Sequence, residues 1–292
     1  MLKKAAYLIL AITFLTGATI SSKPDGIHVG KISVSELQSL FSKNNFPDYF
    51  GKDNIYPRIF LKTLPNDFEK IEDLDKRNNL FFMITIPLAL RVNESILAER
   101  EEILKIREEF KENDELTEKQ TKFIEEKAVK YDIFTRVKGY RRLDYLLNEL
   151  VLKVDAIPPS VLVASAAIDT EFGSSNAALK ANNLFKQLVW YGEEKGLKPE
   201  TKTDEQYEIK IFQSLYDSML AQALKINSGV DFYSTRHLRE ELRFREKSFL
   251  GTDFAHSLLL VANLKNYIGL LDYTITFYGL NTVDLSKLKK MS

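Results

Sequence analysis

The chain has 292 residues, 45% hydrophobic and 28% charged, the balance of a globular protein and not of a disordered one. Its 41 basic and 41 acidic residues cancel, so the basic excess that a nucleic-acid binder uses against phosphates is missing. No cysteine occurs, which excludes disulfides, thiolate metal sites and cysteine nucleophiles, and no two of His28, His237 and His256 stand at metal-ligand spacing.

At the start, Lys3 and Lys4 precede an uncharged run over residues 5–20, closed by the small residues Gly17 and Ala18 before a polar stretch from Ser21. A basic, an apolar and a small-residue segment in that order predict a signal peptide over residues 1–22, with a mature chain beginning near Thr19. The alternative is an uncleaved inner-membrane anchor, because the run approaches the roughly 20 residues that span a bilayer. The expected location is secreted or periplasmic, with no membrane span after cleavage.

Residues 23–150 form the expected N-terminal region. Residues 27–78, mixed in character and broken by Pro47, Pro57 and Pro65, read as loops and short helices. Residues 80–90 carry no charge but are too few to cross a membrane, so a buried core helix is expected there, broken or kinked at Pro87. Ile96, Ile103 and Phe110 recur every seven residues among charges and mark an amphipathic helix. Asn113-Asp114 interrupts it, and Thr117 with Gln120 makes a capping box for a second helix through about Lys130. A leucine-rich third helix, with Leu143, Leu146, Leu147 and Leu150, leads to Ile157-Pro158-Pro159.

Residues 151–285 form the second expected domain. Ser160 is the candidate N-cap of a helix whose one face carries Val161, Ser165, Ile168 and Phe172, with Gly173 as the left-handed stop. Between about Trp190 and Phe212, Tyr207, Ile209 and Ile211 alternate with charges, as in a small β-hairpin lobe. Helices resume at Tyr216, with breaks at Gly229 and Gly251. The predicted class is mainly α (α+β).

Asp169 lies in the last turn of the helix from Ser160, where a carboxylate opposes the helix dipole. Its helical neighbours are mostly apolar, and a carboxyl group kept protonated by such surroundings suits general acid catalysis of glycoside hydrolysis. The plainer alternative is a carboxylate that only solvates the helix end.

Residues 154–185 include Ala-Ala-Ile-Asp-Thr-Glu-Phe-Gly-Ser-Ser and then Ala-Asn-Asn-Leu-Phe. This resembles the Bax-type bacterial glucosaminidases of the peptidoglycan endo-β-N-acetylglucosaminidase family, with their Ala-Ala-x-Glu-Ser-x-Trp-Gly-x-Ser followed by Gly-Asn-Asn-Leu-Phe-Gly. Residues 78–101 and 211–218 resemble further stretches of these proteins. The resemblance implies a lysozyme-like helical core with a small β lobe and a glycan groove, preceded by the N-terminal helical region. It implies peptidoglycan glycan strands as partner, and no cofactor or metal.

By the same resemblance, the catalytic acid is Asp169, where the family has Glu. The shorter side chain withdraws the carboxyl by about 1 Å, a displacement that can cost about a hundredfold in rate. Phe172 replaces the family's tryptophan as an aromatic platform, and Ala181 and Lys186 replace the glycines flanking the paired asparagines. A tyrosine common in the family falls near Leu260, and the one seven residues later is kept as Tyr267. Glu171 is new relative to the family and is the candidate for lytic transglycosylase chemistry; otherwise it is a solvated charge. The second carboxylate is expected from the β lobe, at Glu208 or alternatively Glu205, although Glu208 also fits a hairpin surface charge. Asn182 and Asn183 either bind sugar groups or hold the loop, Phe185 is expected in the core, and Trp190 and Tyr191 can stack on sugar rings. Tyr216 and Tyr267 complete the expected substrate-binding set.

Three functional readings follow. The first is hydrolysis of the β-1,4 bond after N-acetylglucosamine, with Asp169 as acid and Glu208 assisting. The second is an impaired descendant that binds glycan or a protein partner in the same groove. The third is the transglycosylase through Glu171. A nucleotide loop, a Gly-x-Ser-x-Gly elbow and a His-Glu-x-x-His helix are all missing from the sequence.

Overall fold

The computed structural model describes residues 11–13, 18–47, 55–192, 194, 196–198, 206–259 and 265–291. The chain divides into two compact units, one of residues 1–89, 165–219 and 285–292, the other of residues 90–164 and 220–284. As expected, the secondary structure is mainly helical with small sheets.

The first unit opens with strands, the first and most of the second on the expected signal peptide and the others largely where the sequence predicts loops and short helices. Strands β1 (Ala11–Thr13), β2 (Thr19–Lys23), β3 (Gly26–Val29) and β5 (Ile59–Leu61) form one sheet in that order, with β3 and β5 parallel. β4 (Ile55–Tyr56) pairs with β9 (Lys287–Leu288). These strands are two to five residues long, too short to show alternation, and Ile59, Phe60 and Leu61 are all buried. Most of the expected signal peptide lies outside the described residues; Thr19 to Ser22, its last four, belong to β2. Helix α1 (Val34–Lys43) starts with a capping box between Ser33 and Glu36.

Helix α2 (Leu74–Asn113) is 40 residues long and continues through Pro87, so the break that the proline allows does not occur. The residues around the proline, Thr85, Ile86, Leu88 and Ala89, are fully buried, so tertiary packing holds the helix through the lost hydrogen bond. By length and composition α2 could cross a membrane, but 72% of its apolar window is buried inside the protein. Residues 80–90 are thus the buried core helix that the sequence predicts.

In the second unit, α3 (Glu118–Lys130) has the predicted capping box of Thr117 and Gln120 and the predicted last residue. It runs antiparallel to the second half of α2: Gln120 donates to Glu109, while Lys127 and Lys130 pair with Glu99 at 2.8 and 2.7 Å. α4 (Tyr140–Lys153) reverses again and ends on buried charge. Arg239, 3% exposed, donates to the carbonyls of Leu152, Lys153 and Ala156, and Arg100 donates to those of Val151 and Val154. Asp155 balances them, bonded also to Arg243. Burial pushes the Arg239 guanidinium down to about 10, so it stays charged at neutral pH. Arg239 lies on α8 (Tyr233–Phe244), between α7 (Leu215–Ser228) and α9 (Gly251–Ser257), with α10 (Lys265–Phe277) following.

Helix α5 (Pro159–Thr170) begins two residues earlier than an N-cap at Ser160 implies. Proline suits the first helical position because its missing N–H needs no partner there, and this moves Ser160 inside the helix. Ser160 is therefore not the N-cap. Its N–H and hydroxyl donate to the two carboxylate oxygens of Asp284 at 2.8 and 2.9 Å, and the Gly251 N–H at the start of α9 donates to the same carboxylate at 2.8 Å. A side chain on Gly251 would meet the Ser160 hydroxyl at 2.1 Å, so the three-way contact requires glycine.

Burial raises Asp284 to about 6, outweighing the bonds from Ser160 and Gly251 that favour its ionised form. A folded pKa above the unfolded one contributes stability that is complete below about pH 4 and is lost as pH rises through about 6. Urea unfolding at pH 4 and pH 7 should therefore show a loss of up to about 3 kcal/mol from this group. Asp284→Asn should remove that part of the pH dependence; an unchanged profile would assign it to other groups.

Candidate active site

The residues singled out in the sequence fall mostly in the first unit, on one run of chain from the end of α5 to the start of α7. Tyr267 lies on α10 in the second unit, and Glu205 and Leu260 lie outside the described residues.

Asp169 is half-buried in the last turn of α5, which ends at Thr170. The stop is not Gly173 alone. Glu171, Phe172 and Gly173 all take left-handed conformations, with φ of 52°, 55° and 81°. The Phe172 N–H returns to the Ala167 carbonyl at 2.8 Å and the Glu171 N–H to that of Ile168 at 3.5 Å, the Schellman closure with Glu171 where glycine usually stands.

Thr170, fully buried, pins the turn. Its hydroxyl donates to the Ala166 carbonyl at 2.6 Å and accepts the Gly173 N–H at 2.9 Å, while its carbonyl accepts the Ser175 N–H at 3.0 Å. Gly173 also needs its missing side chain, since a Cβ would lie 2.8 Å from Phe81 and 2.9 Å from Phe68. Phe172 meets Phe81 and Phe82 edge-on, at 6.5 and 5.7 Å between ring centres. The expected platform is therefore half-buried and packed against the aromatic core of α2. Glu171 is exposed and lies beyond the helix, so helical spacing does not set where it faces.

After the turn, Ser175 caps α6 (Asn176–Ala181), and Asn182 ends it in a left-handed conformation, which Lys186, standing where the family has glycine, also takes. The Asn182 amide donates to the Phe212 carbonyl at 3.1 Å. Asn183 is fully buried. Its amide nitrogen donates to the carbonyls of Gln187 and Lys210, and its oxygen accepts the N–H groups of Phe185 and Gln187. With all of these bonds made inside the protein, Asn183 holds the loop and presents nothing to a ligand. Phe185 is buried, as expected.

The expected hairpin is a three-stranded sheet in the order β6 (Leu188–Trp190), β8 (Tyr207–Lys210), β7 (Gly196–Leu197). The two-residue β7 is missed because so short a segment carries no pattern. Trp190 lies opposite Tyr207, their rings 4.2 Å apart, and both are substantially exposed. Tyr191 is exposed as well. Glu208 lies on the other face, opposite Val189, and accepts the Gly196 N–H at 3.1 Å. A side chain at Gly196 would sit 2.2 Å from the Glu208 Cβ, so glycine there lets the carboxylate cross β7. Tyr216 is half-buried in the first turn of α7, where the Ser214 hydroxyl accepts the Asp217 N–H.

Residues 147–268 match the family profile described as mannosyl-glycoprotein endo-beta-N-acetylglucosaminidase. Within the curated proteins, the chain is 29% identical over 111 residues to Protein bax of Escherichia coli (strain K12). The aligned part is 38% of this chain and 39% of that protein, so the chain spans about two-fifths of the length of its relative. No solved structure matches.

A non-glycine residue held left-handed costs about 1 kcal/mol or more, and glycine relieves it. Glu171→Gly should therefore raise the free energy of unfolding by about 1 kcal/mol in urea titrations. A lower value would mean that the Glu171 side chain makes a contact worth more than the backbone cost.

Proposed function

We propose that the chain is a glycoside hydrolase that cuts the β-1,4 bond after N-acetylglucosamine in peptidoglycan, with Asp169 as general acid. What supports this reading is the place of Asp169, half-buried in the last turn of α5 ahead of a turn fixed by Thr170 and Gly173 and inside the segment that matches the glucosaminidase profile; the motif resemblance puts the acid at that residue. A positioned acid donates a proton to the leaving oxygen, typically worth about 10²–10⁴ in rate. Glu208 is the proposed assisting carboxylate, while Trp190 and Tyr207, on the other face of the same sheet, are proposed to meet a different part of the glycan. Tyr216 and Asn182 belong to the same proposal as glycan contacts. The proposed location is outside the cytoplasm, where peptidoglycan is.

A second reading, binding without cleavage, is favoured by one observation. The turn that fixes Asp169 is closed by several hydrogen bonds, so the backbone does not readily advance the shorter aspartate by the missing methylene.

Digestion of purified sacculi, followed by reduction of the products and mass spectrometry, separates the readings. The hydrolase predicts reduced N-acetylglucosamine ends and a fall of about a hundredfold or more in Asp169→Asn. Intact sacculi that retain the folded protein, together with activity gained in Asp169→Glu, would establish binding. Anhydro ends lost in Glu171→Gln would establish a transglycosylase.

A further inference from the structure

The segment between α3 and α4 is unlike the rest of this electrically neutral chain. From Asp132 to Asp144 the sequence holds Arg136, Lys138, Arg141 and Arg142 and no acid in between. Arg142 pairs with Glu125 at 2.5 Å, whereas Arg136, Lys138 and Arg141 have no ion pair among the described residues. All three are exposed, and interleaved with them are Phe134 and Val137, 74% and 43% exposed.

The segment is anchored at both ends. Ile133 is buried, with its N–H on the Ala128 carbonyl at 2.8 Å. Tyr140 stacks on Phe110 at 4.9 Å between ring centres. Gly139, at φ 63° and ψ −148°, makes the bend into α4 that other residues resist. Between these anchors the chain offers side chains outward and does not bury them.

Local structure does not account for the charges. Arg141 and Arg142 stand in the first turn of α4, which contains no acid, where the positive end of the helix dipole disfavours cations. Two exposed apolar groups beside three unpaired cations match a surface that is anionic outside and apolar just beneath. Cations near such a lipid surface gain from its negative potential, and apolar side chains enter the headgroup boundary. A carbohydrate polymer fits less well, since the segment has no Asn or Gln to recognise acetamido and hydroxyl groups.

We infer that residues 134–141 form a docking surface for a bilayer containing anionic phospholipids, with Arg136, Lys138 and Arg141 on the headgroup phosphates and Phe134 and Val137 in the interface. The inference is independent of the proposed hydrolase activity.

The test uses the full chain with vesicles of phosphatidylcholine alone or with phosphatidylglycerol, in co-sedimentation. Binding should be stronger to the anionic vesicles, weaken with salt, and fall more than about tenfold in the triple variant R136E/K138E/R141E, with unchanged circular dichroism. Because residues 5–20 can bind lipid by themselves, a second measurement isolates the segment. The chain has one tryptophan, so Phe134→Trp should add fluorescence that brominated acyl chains quench, beyond any quenching of Trp190 alone. Equal binding of wild type and triple variant, or no added quenching, would overturn the inference. So would loss of sacculus binding in the triple variant with vesicle binding unchanged, which would assign the segment to the cell-wall polymer.

Discussion

The left-handed turn at the end of α5 is the constraint on which the candidate site depends. Three residues in succession leave the ordinary backbone region, two of them with side chains that disfavour it. The cost is offset locally: the Thr170 hydroxyl closes both sides of the turn, and Gly173 admits the rings of Phe68 and Phe81. The chain can then reverse within a few residues into α6. From there Asn182 and Asn183 tie it to Phe212 and to β8. Asp169 and the strand bearing Glu208 are thus joined by a short path of internally bonded residues, not by a free loop.

The other end of α5 follows a related rule. Helix ends leave unpaired backbone groups, and in this chain several are met by charged side chains distant in sequence. Asp284 serves the starts of α5 and α9 together, and Arg239 and Arg100 serve the end of α4. Asp155 then offsets the guanidinium charges, because a buried charge without a partner is far more costly than a paired one.

That rule also explains what was legible in the sequence. The capping box of α3 lies within four residues, and its boundaries were read correctly from Thr117, Gln120 and the pattern that follows. The apolar run over residues 80–90 declared its burial directly. Ser160 was misread because its partner lies 124 residues away. The break that Pro87 allows does not occur because propensity is a local quantity and the packing around it is not. The strands of two to five residues before α2 show no period, and the left-handed turn was placed at its glycine although it begins two residues earlier. At the site, the residues around Asp169 were enough to place it in the last turn of a helix. The internal use of Asn183 depends on contacts with the later strand β8, which no local pattern contains.

In the proposed hydrolase, this rigidity bears on the exchange of glutamate for aspartate. A carboxyl group one methylene short can be restored by moving the backbone toward the substrate or by the substrate lying closer. The first route would break the Schellman closure or the Thr170 bonds and push Gly173 against Phe81, each opposed by contacts already made. The second route leaves the turn intact and needs only different walls around the sugar. Phe172, which stands where the family motif has tryptophan, is half-buried and packed on Phe82, so under this proposal the second route would have to use a smaller ring already held against the aromatic core of α2.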